Sequence, residues 1–155
     1  MKKMIALTLA GTLAASPLAF AKGSLDDAET VLNAGSDYGI TQFTNLEFDD
    51  DRDDPFEVEG WVDNEWYVEL ELSTDGTIER EKRRKRQGQA SGLSADDIRS
   101  YLDAASSEGM QYIEELEVRS GGRVEIEGED SNGRELEVEF RNSSLSPFKV
   151  ERDDD

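Results

Sequence analysis

The sequence predicts an α+β fold, short helices set against one face of antiparallel strands, and three observations carry that prediction. The stretch 124–140, VEIEGEDSNGRELEVEF, alternates apolar and acidic residues on both sides of Ser131-Asn132-Gly133, the pattern of two half-buried strands joined by a tight turn. Ser24 and Ser94, each followed by an Asp-Asp pair two residues on, open segments whose apolar residues recur at helical spacing. The chain is also written twice. When Ser24–Phe48 is laid over Ser94–Val118, Ser24, Asp26, Asp27, Leu32, Ala34, Ser36, Gly39, Leu46 and Glu47 all meet identical residues. Phe56–Leu72 then aligns with Val124–Phe140 after a small adjustment in the intervening loop.

Residues 1–21 read as a secretory leader, not part of the fold. Lys2 and Lys3 precede an apolar run, Met4–Ala15, that is too short to span a bilayer, and Ala19-Phe20-Ala21 offers small residues at a cleavage site. The expected product is periplasmic. The chain has no Cys, which excludes a lipid-modified N-terminus, a disulfide framework and a thiolate metal site. It also has no His, which removes ordinary zinc and copper sites and imidazole catalysis. With 37 acidic against 17 basic side chains the net charge is −20, and losing Lys2 and Lys3 with the leader makes the remainder more acidic still. Such a chain does not suit nucleic acid, whose phosphates need Lys and Arg.

In the first unit, expected over 24–85, Ser24 caps a helix with Asp26 and Asp27 in its positive first turn. Ala28, Val31, Leu32 and Gly35 form its apolar stripe, and Gly39 ends it. A strand around Leu46–Phe48 follows, then a hairpin closed through Asp63-Asn64-Glu65. A last strand comes after Asp75-Gly76, around Thr77–Glu81. In the second unit, expected over 94–152, Ser94 caps the helix and Leu93 staples onto Ile98. Ile98, Tyr101, Leu102 and Ala105 face inward and Gly109 stops the helix. A strand at Leu116–Val118, the 124–140 hairpin and a final strand near Phe148–Glu151 complete it. Each helix is expected to pack on its own four-stranded sheet. Gly60 and Gly128 occupy equivalent inward positions, which calls for a bulge or a close backbone approach, here read as the crossing helix.

Residues 86–93 read as a polar linker. The basic run Arg80–Arg86 just before it has two readings. It is either a solvated extension of the preceding strand neutralised by nearby carboxylates, or a cationic element that docks onto an acidic surface of this protein, the lipid phosphates of a membrane or a partner.

These patterns, with the hairpin VEIEGEDSNGRELEVEF and the turn STDGTI, resemble the PepSY domain in two tandem copies. The resemblance implies a small α+β unit akin to those of beta-lactamase inhibitor proteins and metallopeptidase propeptides. It also implies a non-enzymatic binding or regulatory role outside the cytoplasm, such as restraint of a peptidase or another envelope protein. It brings no catalytic residues and no cofactor.

Two surfaces could carry a function. The hairpin registers set Glu125, Glu127 and Glu129 opposite Glu139, Glu137 and Glu135, a repulsive face that needs water, salt, a cation or a basic partner. In the first unit Trp61 and Tyr67 come together on the corresponding outward face, flanked by Glu57, Glu59, Glu69 and Glu71. They read either as an exposed aromatic anchor for a partner or as a pair that covers the other unit. A weak calcium or magnesium site is an alternative, with Asp49, Asp51 and Asp53 as ligands. However, Asp54 and Gly60 stand where an EF-hand loop needs Gly and Glu. A carboxylate-pair hydrolase is disfavoured, because an open sheet face has no apolar pocket to split two pKa values.

Overall fold

The computed structural model describes residues 22–49, 55–141 and 143–153. The leader and Asp51 and Asp53 lie outside the described residues. In chain order the elements are β1 (Gly23–Ser24), α1 (Leu25–Tyr38), β2 (Gln42–Phe48), β3 (Phe56–Trp61), β4 (Trp66–Leu72) and β5 (Ile78–Lys85). They continue with α2 (Ala95–Ser107), β6 (Met110–Arg119), β7 (Arg123–Asp130), β8 (Glu135–Phe140) and β9 (Lys149–Arg152).

Both helices begin as their sequences dictate. Ser24 Oγ accepts from the Asp27 amide at 3.1 Å while the Asp27 carboxylate accepts from the Ser24 amide at 2.8 Å, a reciprocal cap that satisfies two otherwise orphaned donors. Ser94 Oγ accepts from the Asp97 amide at 3.1 Å. Gly39, at φ 117°, ends α1, and its N–H reaches the carbonyls of Gly35 and Ser36. Ala28, Val31, Leu32 and Gly35 of α1 and Ile98, Tyr101, Leu102 and Ala105 of α2 are buried.

The sheet corrects one expectation. The helices do not each cover a separate four-stranded sheet; the strands form one antiparallel sheet in the order β5-β4-β3-β2-β6-β7-β8-β9, with β1 added on β6. Strands β2 and β6 pair through Asn45–Glu47 and Glu115–Glu117, which puts Leu46 opposite Leu116. Both leucines are fully buried. Left apart, the halves would expose both side chains, at about 2 kcal/mol each, and two bare strand edges. The lead-in to each helix is tied across the junction: Gly23 pairs with Ile113 on β6, and Leu93 exchanges hydrogen bonds of 2.7 and 2.9 Å with Phe43 on β2. Accordingly α1 contacts β3 and β6, and α2 contacts β2, β6 and β7. One core runs from Phe56 and Leu72 to Val124 and Phe140.

The inward glycines also have a different cause from the one expected. A Cβ on Gly60 would lie 2.5 Å from the Gln42 carbonyl oxygen, and one on Gly128 would lie 2.0 Å from that of Tyr112. The crowding comes from neighbouring strands β2 and β6, not from a helix. Both bulge at this point, between Phe43 and Asn45 and between Ile113 and Glu115, and swing their backbones over the glycines.

Candidate functional site: the outward face of the sheet

With both helices on one side, the other face of the sheet carries the outward residues of every strand. The pairings align them into rows. Arg80, Glu71, Glu57, Glu47, Glu115, Glu127, Glu137 and Glu151 stand next to one another across eight strands. A second row runs Lys82, Glu69, Glu59, Asn45, Glu117, Glu125, Glu139, Lys149. Adjacent strands are about 4.8 Å apart, so the glutamates of a row repel their neighbours. The stacking of Glu125, Glu127 and Glu129 on Glu139, Glu137 and Glu135 is as the hairpin pattern predicts.

Cations are supplied at the two edges. On β5, Arg80 binds Glu71 at 2.6 Å, Lys82 binds Glu69 and Glu71, and Arg84 binds Glu69 at 2.6 Å. The basic run is therefore a strand whose outward side chains neutralise the first ladder. At the other edge Lys149 Nζ lies 2.9, 3.1 and 3.0 Å from Glu137, Glu139 and Glu151. Burial works against the charge of Glu139, but the hydrogen bond from Lys149 and the charges of Lys149 and Arg123 hold its carboxyl below the usual value.

In the middle of the face Arg119 pairs with Glu117 at 2.9 Å and with Glu125 at 3.0 Å, and Lys22 pairs with Glu129. Burial raises the carboxyl of Glu127, and repulsion from Glu115, Glu125 and Glu137 raises it further. Burial likewise raises Glu114, the extra residue of the β6 bulge, with Glu129, Glu135 and Glu127 adding to the effect. The buried Oε1 of Glu114 has no hydrogen-bond partner. Glu114, Glu127, Glu135, Glu137, Glu151 and Asp153 line a shallow cavity of about 170 Å³ above Gly128 and Leu136.

Trp61 and Tyr67 do pair outward, with rings in edge-to-face contact at 5.3 Å, but they do not form an exposed anchor. They are only 7% and 5% exposed, in a small cluster completed by Ala90. The 86–93 segment runs back over this face, placing Ala90 in that cluster and the Arg86 guanidinium 3.7 Å from the Tyr67 ring centre. The Tyr67 hydroxyl donates to Glu59 at 2.5 Å and is 2.8 Å from Thr44 Oγ1. Burial, followed by the Glu59 hydrogen bond, pushes the phenol up to about 12.

Two glutamate trios bring carboxylate oxygens within 4.8 Å of one another, Glu57–Glu69–Glu71 and Glu125–Glu137–Glu139. A lysine ammonium is already seated in each, from Lys82 and Lys149. Asp49 sits at the end of β2, where its amide donates to the Pro55 carbonyl.

Glu47, Glu115, Glu117, Glu114, Glu151 and Lys149 join the site without having been singled out as site residues in the sequence, and Arg86 joins it from the basic run. The alternation in TNLEF and EELEV signalled that Glu47, Glu115 and Glu117 point outward. Nothing local announced that β2 and β6 are neighbours.

The fold defines an α+β protein with two helices on one side of a nine-stranded antiparallel sheet. No protein-family profile matches the chain, and no curated protein matches it. Among solved structures, it is similar to a Clostridium difficile 630 protein classed provisionally as a lipoprotein, at 17% identity and a TM-score of 0.46. The match covers 86% of this chain and 95% of that one. Among the described residues no helix is long and apolar enough to cross a membrane.

Proposed function

We propose that this chain is an exported, non-enzymatic binding module, a PepSY-like unit in two copies, whose outward sheet face engages a basic surface of an envelope or secreted protein. The observation that carries the reading is the glutamate row from Glu71 to Glu151, which sets seven carboxylates side by side across seven adjacent strands. A folded protein that keeps such repulsion spends stability on it, and a cationic partner recovers that energy. The duplicated unit is supported by matching helix caps at Ser24 and Ser94, matching bulges before Asn45 and Glu115, and matching crowded glycines at Gly60 and Gly128. Export rests on the leader pattern of residues 1–21.

The test is binding of a labelled hexa-arginine peptide to the mature chain at about 0.15 M salt. Glu115→Gln, Glu127→Gln and Glu137→Gln together are expected to weaken binding roughly tenfold, taking each lost charge contact at about 0.5 kcal/mol. Neutralising Asp37, Asp96 and Asp103 on the helix side removes the same charge and is expected to change little. Equal losses in the two variants would reject a specific face.

A hard-cation role has the two glutamate trios in its favour, but an ion would have to displace Lys82 or Lys149. Calorimetric titration is expected to show no calcium binding below millimolar, and tighter binding would restore this reading.

A further inference from the structure

We propose that the cavity between Tyr67 and β6 is a receptor for an arginine side chain of the basic partner, and that Arg86 is its built-in occupant. The inference rests on the reading of the outward face as a cation-binding surface and names one subsite on it. The cavity, of about 310 Å³, has Asn45, Glu59, Trp61, Tyr67, Arg86 and Glu117 in its lining. Its floor is aromatic and its walls carry two carboxylates, Glu59 and Glu117, which face each other across Asn45 in the second row. An aromatic face beside carboxylates is the chemistry that holds a planar guanidinium, through cation–π attraction and charge-assisted hydrogen bonds.

The molecule already supplies one such group. The Arg86 guanidinium lies 3.7 Å from the Tyr67 ring centre, yet the residue is exposed, and its amide ties the backbone to the sheet by donating to the Glu65 carbonyl at 2.9 Å. Swapping it for a partner's arginine therefore requires a side-chain rotation and leaves Trp61 covered by Ala90. The corresponding place in the second half carries no aromatic pair. Glu129 and Glu135 face each other there, as Trp61 and Tyr67 do in the first, so the subsite belongs to one half only.

The test uses the mature chain with the hexa-arginine probe and with a hexa-lysine probe. Arg86→Ala is expected to tighten hexa-arginine binding roughly two- to fivefold, the scale of one cation–π contact released to the ligand, and to tighten hexa-lysine binding less. Adding Glu59→Gln and Glu117→Gln to that variant is expected to abolish the gain. Arg83→Ala is the charge control: Arg83 lies 4.7 Å from the Trp66 ring centre, on a strand position that faces the helix side. An equal gain from Arg83→Ala, a gain that survives loss of Glu59 and Glu117, or no gain at all would overturn the proposal. Thermal melting of each variant identifies loss of folding, and Arg86→Gln, which keeps a long polar side chain without the charge, is then used in place of Arg86→Ala. The broader reading fails separately: if wild type binds neither probe while Arg86→Ala binds hexa-arginine through Glu59 and Glu117, the glutamate row is not the receptor but the subsite stands. If wild type binds and Arg86→Ala is neutral, only the subsite falls.

Discussion

Glu47 and Glu115 stand directly opposite each other where β2 meets β6, and this one pairing joins two short acidic ladders into a single row. Leu46 and Leu116, fully buried beside it on the helix face, fix the register. A slip by one residue would turn both leucines out, so the repulsion is imposed by the core. Asn45 softens it locally by donating to Glu115 at 2.8 Å.

Function and stability should therefore oppose each other at this position. Glu115→Gln keeps an acceptor for Asn45 and removes one charge from the row. It is expected to stabilise the protein by about 0.2–1 kcal/mol, the scale of a like-charge cross-strand pair, while weakening hexa-arginine binding. Urea denaturation and anisotropy titration of the same sample check both signs. A destabilised variant would mean that Glu115 is already neutralised in the native state.

The pH dependence follows from the shifted carboxyls. Glu127 and Glu114 are raised by burial first and by neighbouring glutamates second, and Glu135 is raised first by its hydrogen bond with Asp153. A carboxyl raised on folding binds its proton more tightly in the native state. The folded protein therefore gains stability as pH falls through the raised values, and the gain is complete below the unfolded value of 4.5. Asp130 and Asp75 act in the opposite sense. The first is held at about 2 chiefly by Arg134, the second at about 2 by hydrogen bonds from Thr77 and Ser73, and their contributions are lost below the unfolded value of 3.8. Melting temperature is thus expected to rise from neutral pH toward about 4.5 and to fall below it. A steady decline from pH 7 downward would contradict the assignment.

Gly128 has no room for a side chain, because the nearest obstacle is backbone. Gly128→Ala is expected to cost at least about 1–3 kcal/mol, the usual range for overpacking a closed site. Gly60→Ala should cost less, since its nearest contacts, the Gln42 carbonyl at 2.5 Å and the Ile40 methyl at 2.5 Å, include a movable side chain. Denaturant midpoints of the two variants check the order.

Trp61 acts as core on the outward face. Trp61→Ala is expected to destabilise by about 3 kcal/mol, the lower end for removing a large aromatic, because its cluster contains only Tyr67 and Ala90 besides itself. A loss under 1 kcal/mol, with partner binding abolished, would instead return Trp61 to the role of exposed anchor.

Much of this architecture could be read from local pattern. The Asp130–Arg134 closure and the pairs from Glu129–Glu135 to Val124–Phe140 follow from alternation around Ser131-Asn132-Gly133, since two-residue periodicity leaves no freedom once the turn is set. The buried helix stripes and the caps at Ser24 and Ser94 were equally local. What escaped depended on contacts between distant segments. Leu93 meeting Phe43, Gly23 meeting Ile113 and β2 meeting β6 have no signature within any one window. The same holds for the 86–93 segment, whose polar composition marks a linker but whose Ala90 and Arg86 close over Trp61 and Tyr67.

The most direct test of a cation-receptive sheet face is carboxylate footprinting of the mature chain by carbodiimide coupling, with and without saturating hexa-arginine. Protection is expected to concentrate on Glu115, Glu127 and Glu137, with helix-side Asp37, Asp96 and Asp103 labelled as in the free protein. Protection spread evenly over both sides, or confined to the helix side, would contradict the account.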